Sequence, residues 1–135
     1  KEIIEAAGMS ERIWVQAGDF HQQELGSGYD IALVFGVLNG EPLEKRPELI
    51  RKVFSALNPG GQIVLRDTVL DPDRAGPPEA TMFAVQLLLS TDGGGLDTRE
   101  EWETRLISAG FVVPHTIELP SWVGFSLTIA TKPKG

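Results

Sequence analysis

DIALVFGVLNGEPLEKRPELIRKVFSALNPGGQIVLRD, residues 30–67, is the stretch that decides the fold of this chain. Residues 31–35 form a continuous apolar run, the pattern of a strand covered on both faces by helices, and so predict a central parallel strand. From about Arg46 to Leu57 the apolar residues Leu49, Ile50, Val53, Phe54 and Leu57 share one helical face, with Glu48, Arg51 and Lys52 largely opposite. Pro47 is tolerated only in a first turn, which places the helix start. Pro59, Gly60 and Gly61 end the helix and reverse the chain, and Ile63, Val64 and Leu65 follow as the next strand. Strand, helix and strand joined in this way make a parallel, right-handed βαβ unit.

Working outward, residues 1–7 read as the end of a helix with Gly8 at its C′ position, and residues 13–17 as a short strand. Downstream, Pro77 and Pro78 introduce an apolar helix over about residues 79–90, which is either core or the wall of an apolar pocket. Thr98 and Glu101 form a capping box for a helix that carries Trp102, Leu106 and Ile107 inward and ends at Gly110. Residues 111–118 and 125–131 read as an antiparallel pair at one side of the sheet.

The 135 residues suit one domain. With 12 Lys+Arg against 19 Asp+Glu the net charge is −7, and no basic stripe is present to follow a phosphate backbone, so nucleic acid is not an expected partner. No apolar run approaches the roughly 20 residues of a membrane span. The absence of cysteine excludes disulfides and thiolate metal sites and fits a cytoplasmic protein. His21 and His115 lack the close spacing of a metal pair. Ser27 with His21 and Asp30 has no nucleophile-elbow context. The glycines at 93–95 follow a helix, which suits a helix stop better than a phosphate cradle.

Taken in order, VQAGDF (15–20), DIALVF (30–35), VLNGE (37–41), LNPGGQIVLRD (57–67), DGGGLDTREEW (92–102) and AGF (109–111) resemble the small-molecule O-methyltransferases. These are class I S-adenosylmethionine-dependent enzymes of the hydroxyneurosporene, acetylserotonin and caffeic acid type. The resemblance implies an α/β Rossmann-like fold with a mostly parallel sheet and an antiparallel C-terminal hairpin. It also implies that the fold is incomplete: residues 1–135 would be the C-terminal part of a catalytic domain, without the first two strands and the glycine-rich turn. Alone, such a chain is expected to bind the cofactor weakly or not at all. The family's helical N-terminal domain would lie upstream and make the complete protein a homodimer.

Residue by residue, the resemblance implies that Gly18, Asp19 and Phe20 contact the adenine of S-adenosylmethionine, the carboxylate meeting the exocyclic amine and the aromatic ring the purine. Phe35 and Gly36 would face the methionine end, where parallel strands end. The family's catalytic histidine falls at Asn39, which cannot serve as a base. Its acidic partner falls at Asp67, and a second acidic position falls at Leu96, next to Asp97. Met82, Phe83, Gln86 and Leu87 are candidates for contacting a flat apolar acceptor, with core packing as the equal alternative. Methyl transfer to a small molecule is the expected function, and a non-catalytic binding or assembly module is the alternative that Asn39 and Leu96 raise.

Overall fold

The computed structural model describes residues 1–135 apart from the side chain of Ser121. Its elements in order are α1 (Glu2–Ala6), β1 (Tyr29–Phe35), a 3-10 turn (Leu38–Gly40), α2 (Arg46–Ala56), β2 (Leu57–Asp67), α3 (Pro78–Ser90), α4 (Arg99–Ser108), β3 (Val112–Ile117), a second 3-10 turn (Ser121–Val123) and β4 (Ser126–Thr131). The strands form one sheet in the order β1-β2-β4-β3. β1 and β2 are parallel across α2, and β4 runs antiparallel to both β2 and β3. This is the α/β architecture with a C-terminal hairpin that the sequence implies.

The NPGG segment turns the chain inside the ladder rather than before it. Tyr29 faces Leu57 and Ile31 faces Gln62, so residues 58–61 bulge from β2. Gly60 takes φ +83°, and a Cβ on Gly61 would lie 2.9 Å from the Asn58 carbonyl, so glycine is required there on space alone. Lys132 closes the end of α2 by donating to the carbonyls of Phe54 and Leu57, which the helix leaves without partners.

The core lies between the sheet and α2 with α4. Ile50, Ile63, Leu65, Trp102, Leu106 and Phe111 are all at most 1% exposed, each contributing about 1.5–3 kcal/mol of apolar burial. The capping box forms as expected, with Thr98 and Glu101 each accepting from the other's backbone N–H. Burial opposes ionisation of Glu101, but the Thr98 N–H and the Arg74 guanidinium hold its carboxyl below the usual range. A smaller apolar cluster of Leu70, Ala80, Leu87 and Leu96 seats α3.

Three expectations are corrected. Residues 13–17 form no strand, because no neighbouring strand among the described residues offers the ladder bonds that would hold one. Ile107 is 58% exposed, since the inward face of α4 is completed by Trp102 and Leu106 alone. β1 is an edge strand here, not a central one: Ala32 and Val34 turn toward the core, while Ile31, Leu33 and Phe35 lie on an uncovered face.

Candidate functional site

The buried face shared by β2 and β4 changes character along its length. Ile63 pairs with Ala130, Leu65 with Thr128, and Asp67 with Ser126. All six are buried, so the sheet runs from apolar to polar toward the C-terminal end of β2. That is the end at which open α/β sheets bind their ligands. Asp67 is 5% exposed, and neither of its carboxylate oxygens has a hydrogen-bond partner; the Ser126 hydroxyl, the Asn39 Oδ1 and the Trp102 Nε1 are likewise unpaired. Burial is the main cause that pushes the Asp67 carboxyl up to about 7, with Asp97 adding to it and Arg46 and Arg66 opposing it.

Asn39 lies in the 3-10 turn that follows β1 and is buried. Its backbone carbonyl accepts from the Gly95 N–H at 2.9 Å, and a Cβ on Gly94 would sit 2.6 Å from the same oxygen. The glycines at 93–95 therefore do more than stop a helix, because one of them lets a second loop close onto the Asn39 turn.

Arg46 clamps these loops together. It is fully buried and donates from Nη1 to Asp97 at 2.7 Å, from Nε to the Glu41 carbonyl at 3.1 Å, and from Nη2 to the carbonyls of Gly95 at 2.8 Å and Asn39 at 3.5 Å. Asp97 also accepts from Arg105, so both its oxygens are engaged. Leu96 beside it is buried in the α3 cluster. Neither residue presents a free carboxylate at the family's second acidic position. Sequence reasoning took Arg46 only as a helix start. One signal was available: a cation in the first turn opposes the helix dipole, so something outside the helix must hold it.

The candidate donor-side residues lie on a loop tied to the Asn39 turn. Asp19 is exposed, with Oδ1 accepting from the His21 N–H at 2.8 Å and Oδ2 from the Gln22 amide at 3.0 Å. Phe20 packs on the core, with its ring centroid 4.5 Å from that of His21. Lys52 on α2 donates to the carbonyls of Phe20 and His21, and His21 Nε2 lies 3.0 Å from Glu41 Oε2. Gly18 leaves room for the Gln23 side chain, which a Cβ there would overlap. Phe20 also lines an apolar cavity of about 330 Å³ with Ala32, Val34 and Val37 of the β1 region and Leu49 and Val53 of α2. Gly36, at φ +65° with open space over its Cα, donates to the Arg66 carbonyl at 3.1 Å, which sets the end of β1 beside Asp67. Phe35 is half exposed on the uncovered face of β1.

α3 divides its four candidate residues. Leu87 is buried and Phe83 packs with it against Leu70, Ala80 and Leu96, whereas Met82 is 70% exposed and Gln86 is exposed. Among the described residues no group of three His, Asp or Glu side chains is placed to hold a metal ion, and no helix is long and apolar enough to cross a membrane.

Residues 1–112 match the sequence family described as the O-methyltransferase domain. The chain is 34% identical to an L-tyrosine C(3)-methyltransferase of Streptomyces lavendulae, over 98% of this chain and 37% of that protein. It is 30% identical to a 3-hydroxy-5-methyl-1-naphthoate 3-O-methyltransferase of Streptomyces sahachiroi, over 89% of this chain and 34% of that protein. Among solved structures, PigF with S-adenosylhomocysteine superposes with a TM-score of 0.85 at 26% identity, covering 97% of this chain and 38% of the other. The chain thus spans a little over a third of the length of the relatives it matches.

Proposed function

Because the chain belongs to the O-methyltransferase domain family, whose members draw the methyl group from S-adenosylmethionine, we propose that it forms part of an enzyme that methylates a small hydroxylated aromatic acceptor. In this proposal residues 1–135 supply the C-terminal part of the catalytic domain, and the complete enzyme is a cytoplasmic homodimer. The observation that carries the proposal is the set of unpaired buried polar atoms on Asn39 and Asp67 at the ends of β1 and β2. The large majority of buried polar groups in a structural core find partners, and these have none. The relatives support the acceptor class: one is named for methylating tyrosine at C3 and another for a hydroxynaphthoate oxygen. All the relatives named above are methyltransferases, and the alternative of a non-catalytic module has no support among them.

The residues present fit the cofactor at three points. Open space over Gly36 admits a ligand to the strand ends. Phe20 offers an aromatic face held in place through Lys52, and Asp19 keeps lone pairs free for the adenine amine beyond the two bonds it accepts. Phe35 closes the same end of β1. When bound, the sulfonium supplies an already activated methyl group. The chain's own work is then to orient the acceptor and exclude water. Asn39 hydrogen-bonds the acceptor through its amide, and Met82 and Gln86, on the exposed side of α3, line the acceptor side, while Phe83 and Leu87 anchor the helix in its apolar cluster.

The test is methyl transfer by the full-length protein with a labelled donor, offered phenols, amines and activated carbon acids in parallel. Transfer to hydroxylated aromatics, reduced on Asn39→Ala through a raised KM, is expected. Donor binding with no transfer to any acceptor would restore the non-catalytic alternative.

A further inference from the structure

Resting on the methyl-transfer reading above, we propose that Asp67 is itself the proton acceptor for the acceptor's hydroxyl group, the task that the amide of Asn39 cannot perform. Two buried aspartates of this chain make the contrast. Asp97 is 1% exposed and has both oxygens bound by arginines, as a structural carboxylate must. Asp67 is 5% exposed and has neither oxygen bound. Nothing around it uses its lone pairs: Ser126, directly across the ladder, carries an unpaired hydroxyl of its own. Its place at the end of β2, beside the end of β1 at Gly36, is where a ligand of this sheet meets the protein.

The charged groups facing Asp67 tune it for the task. Arg46 from α2 and Arg66 from its own strand favour the carboxylate, whereas burial and Asp97, from the loop before α4, oppose it more strongly. The outcome, a pKa of about 7, makes the group a far better base for a phenol than an ordinary carboxylate. In the step, an Asp67 oxygen takes the hydroxyl proton. The electron pair left on the acceptor oxygen forms the bond to the methyl carbon as the carbon–sulfur pair returns to sulfur. Asp67, now a carboxylic acid, releases its proton to solvent as product leaves.

The experiment uses the full-length protein as wild type, Asp67→Asn and Asp67→Glu, with a series of ring-substituted phenols of graded acidity from about pH 5 to about pH 9. Asp67→Asn is expected to lower kcat/KM by about 10²- to 10⁴-fold on weakly acidic phenols, with the loss shrinking as the phenol becomes more acidic and already ionised. Asp67→Glu recovers part of the rate. The wild-type rate climbs with pH to a plateau above about 7, and this limb is missing from Asp67→Asn. Two readouts do not depend on turnover. S-adenosylhomocysteine affinity by calorimetry stays within about twofold, and the infrared band of a protonated carboxyl that titrates near pH 7 in the wild type is absent from Asp67→Asn. A loss equal for all phenols, a pH limb that persists in Asp67→Asn, or a wild-type rate that falls above pH 7 would overturn the assignment, the last because it requires the protonated acid. No transfer by the wild type to any acceptor defeats the functional reading itself. Transfer that is unchanged in Asp67→Asn defeats only the role of Asp67.

Discussion

The two faces of this sheet have the same kind of sequence and opposite surroundings. On the α2–α4 side, apolar residues of β2 and β4 meet Trp102, Leu106 and Phe111 and are sealed from water. On the outer side of β1, Ile31, Leu33 and Phe35 are 59%, 62% and 43% exposed, and on α3 Met82, Val85, Leu88 and Leu89 are at least half exposed. Hydrophobicity alone therefore did not decide which residues are buried; the presence of a packing element did. The only polar interruption of the sealed side by an unpaired carboxylate is at Asp67, among the described residues.

This contrast orders the expected effects of substitution. Trp102→Ala should cost the most, about 4 kcal/mol in denaturant unfolding, because it empties the centre of the sealed side. A cost below about 1 kcal/mol would show that side to be loosely packed. Arg46→Met should cost about 3 kcal/mol by leaving Asp97 buried with one arginine instead of two and by releasing the Asn39 and Gly95 carbonyls. Retained stability there would mean that Arg105 alone suffices for Asp97. On the open side, Leu33→Thr should change the unfolding free energy of this chain by less than about 0.5 kcal/mol, since little apolar area is covered at that position. Arg74→Ala, which removes a half-exposed ion pair with Glu101 and a hydrogen bond to the Leu96 carbonyl, should also have a small effect, with the ion-pair part of it lost at high salt.

The sealed half was readable from the sequence because local signals and burial agree in it. The periodicity of α2 and the capping box of α4 each depend on neighbours close in the chain. The βαβ unit followed from them. What escaped depends on distant partners. Arg46 and Asp97 are 51 residues apart, so their ion pair leaves no local pattern. Residues 13–17 have strand-like composition, but a strand exists only with a neighbour to bond. Ile107 follows a helical period closely enough to look inward, yet falls just outside the arc that α4 presents to the sheet. Asp67 was legible as a candidate site residue through its family position, but its burial and lack of partners were not, because they are properties of the fold around it.

Whether that unpaired carboxylate is kept for function is decided most directly by thermal unfolding of full-length wild type and Asp67→Asn at about pH 5.5 and about pH 8. The folded-state pKa of Asp67 is raised from 3.8 to about 7, so the folded state binds the proton more tightly. Its contribution to stability is greatest below pH 3.8 and is lost as pH rises through about 7. Asp67→Asn removes this penalty and should therefore be more stable than wild type at pH 8, by about 4 kcal/mol at most, and melt higher, with a smaller gap at pH 5.5. A variant that melts lower than wild type at pH 8 would show Asp67 to be a stabilising member of the core and would contradict its assignment to the site.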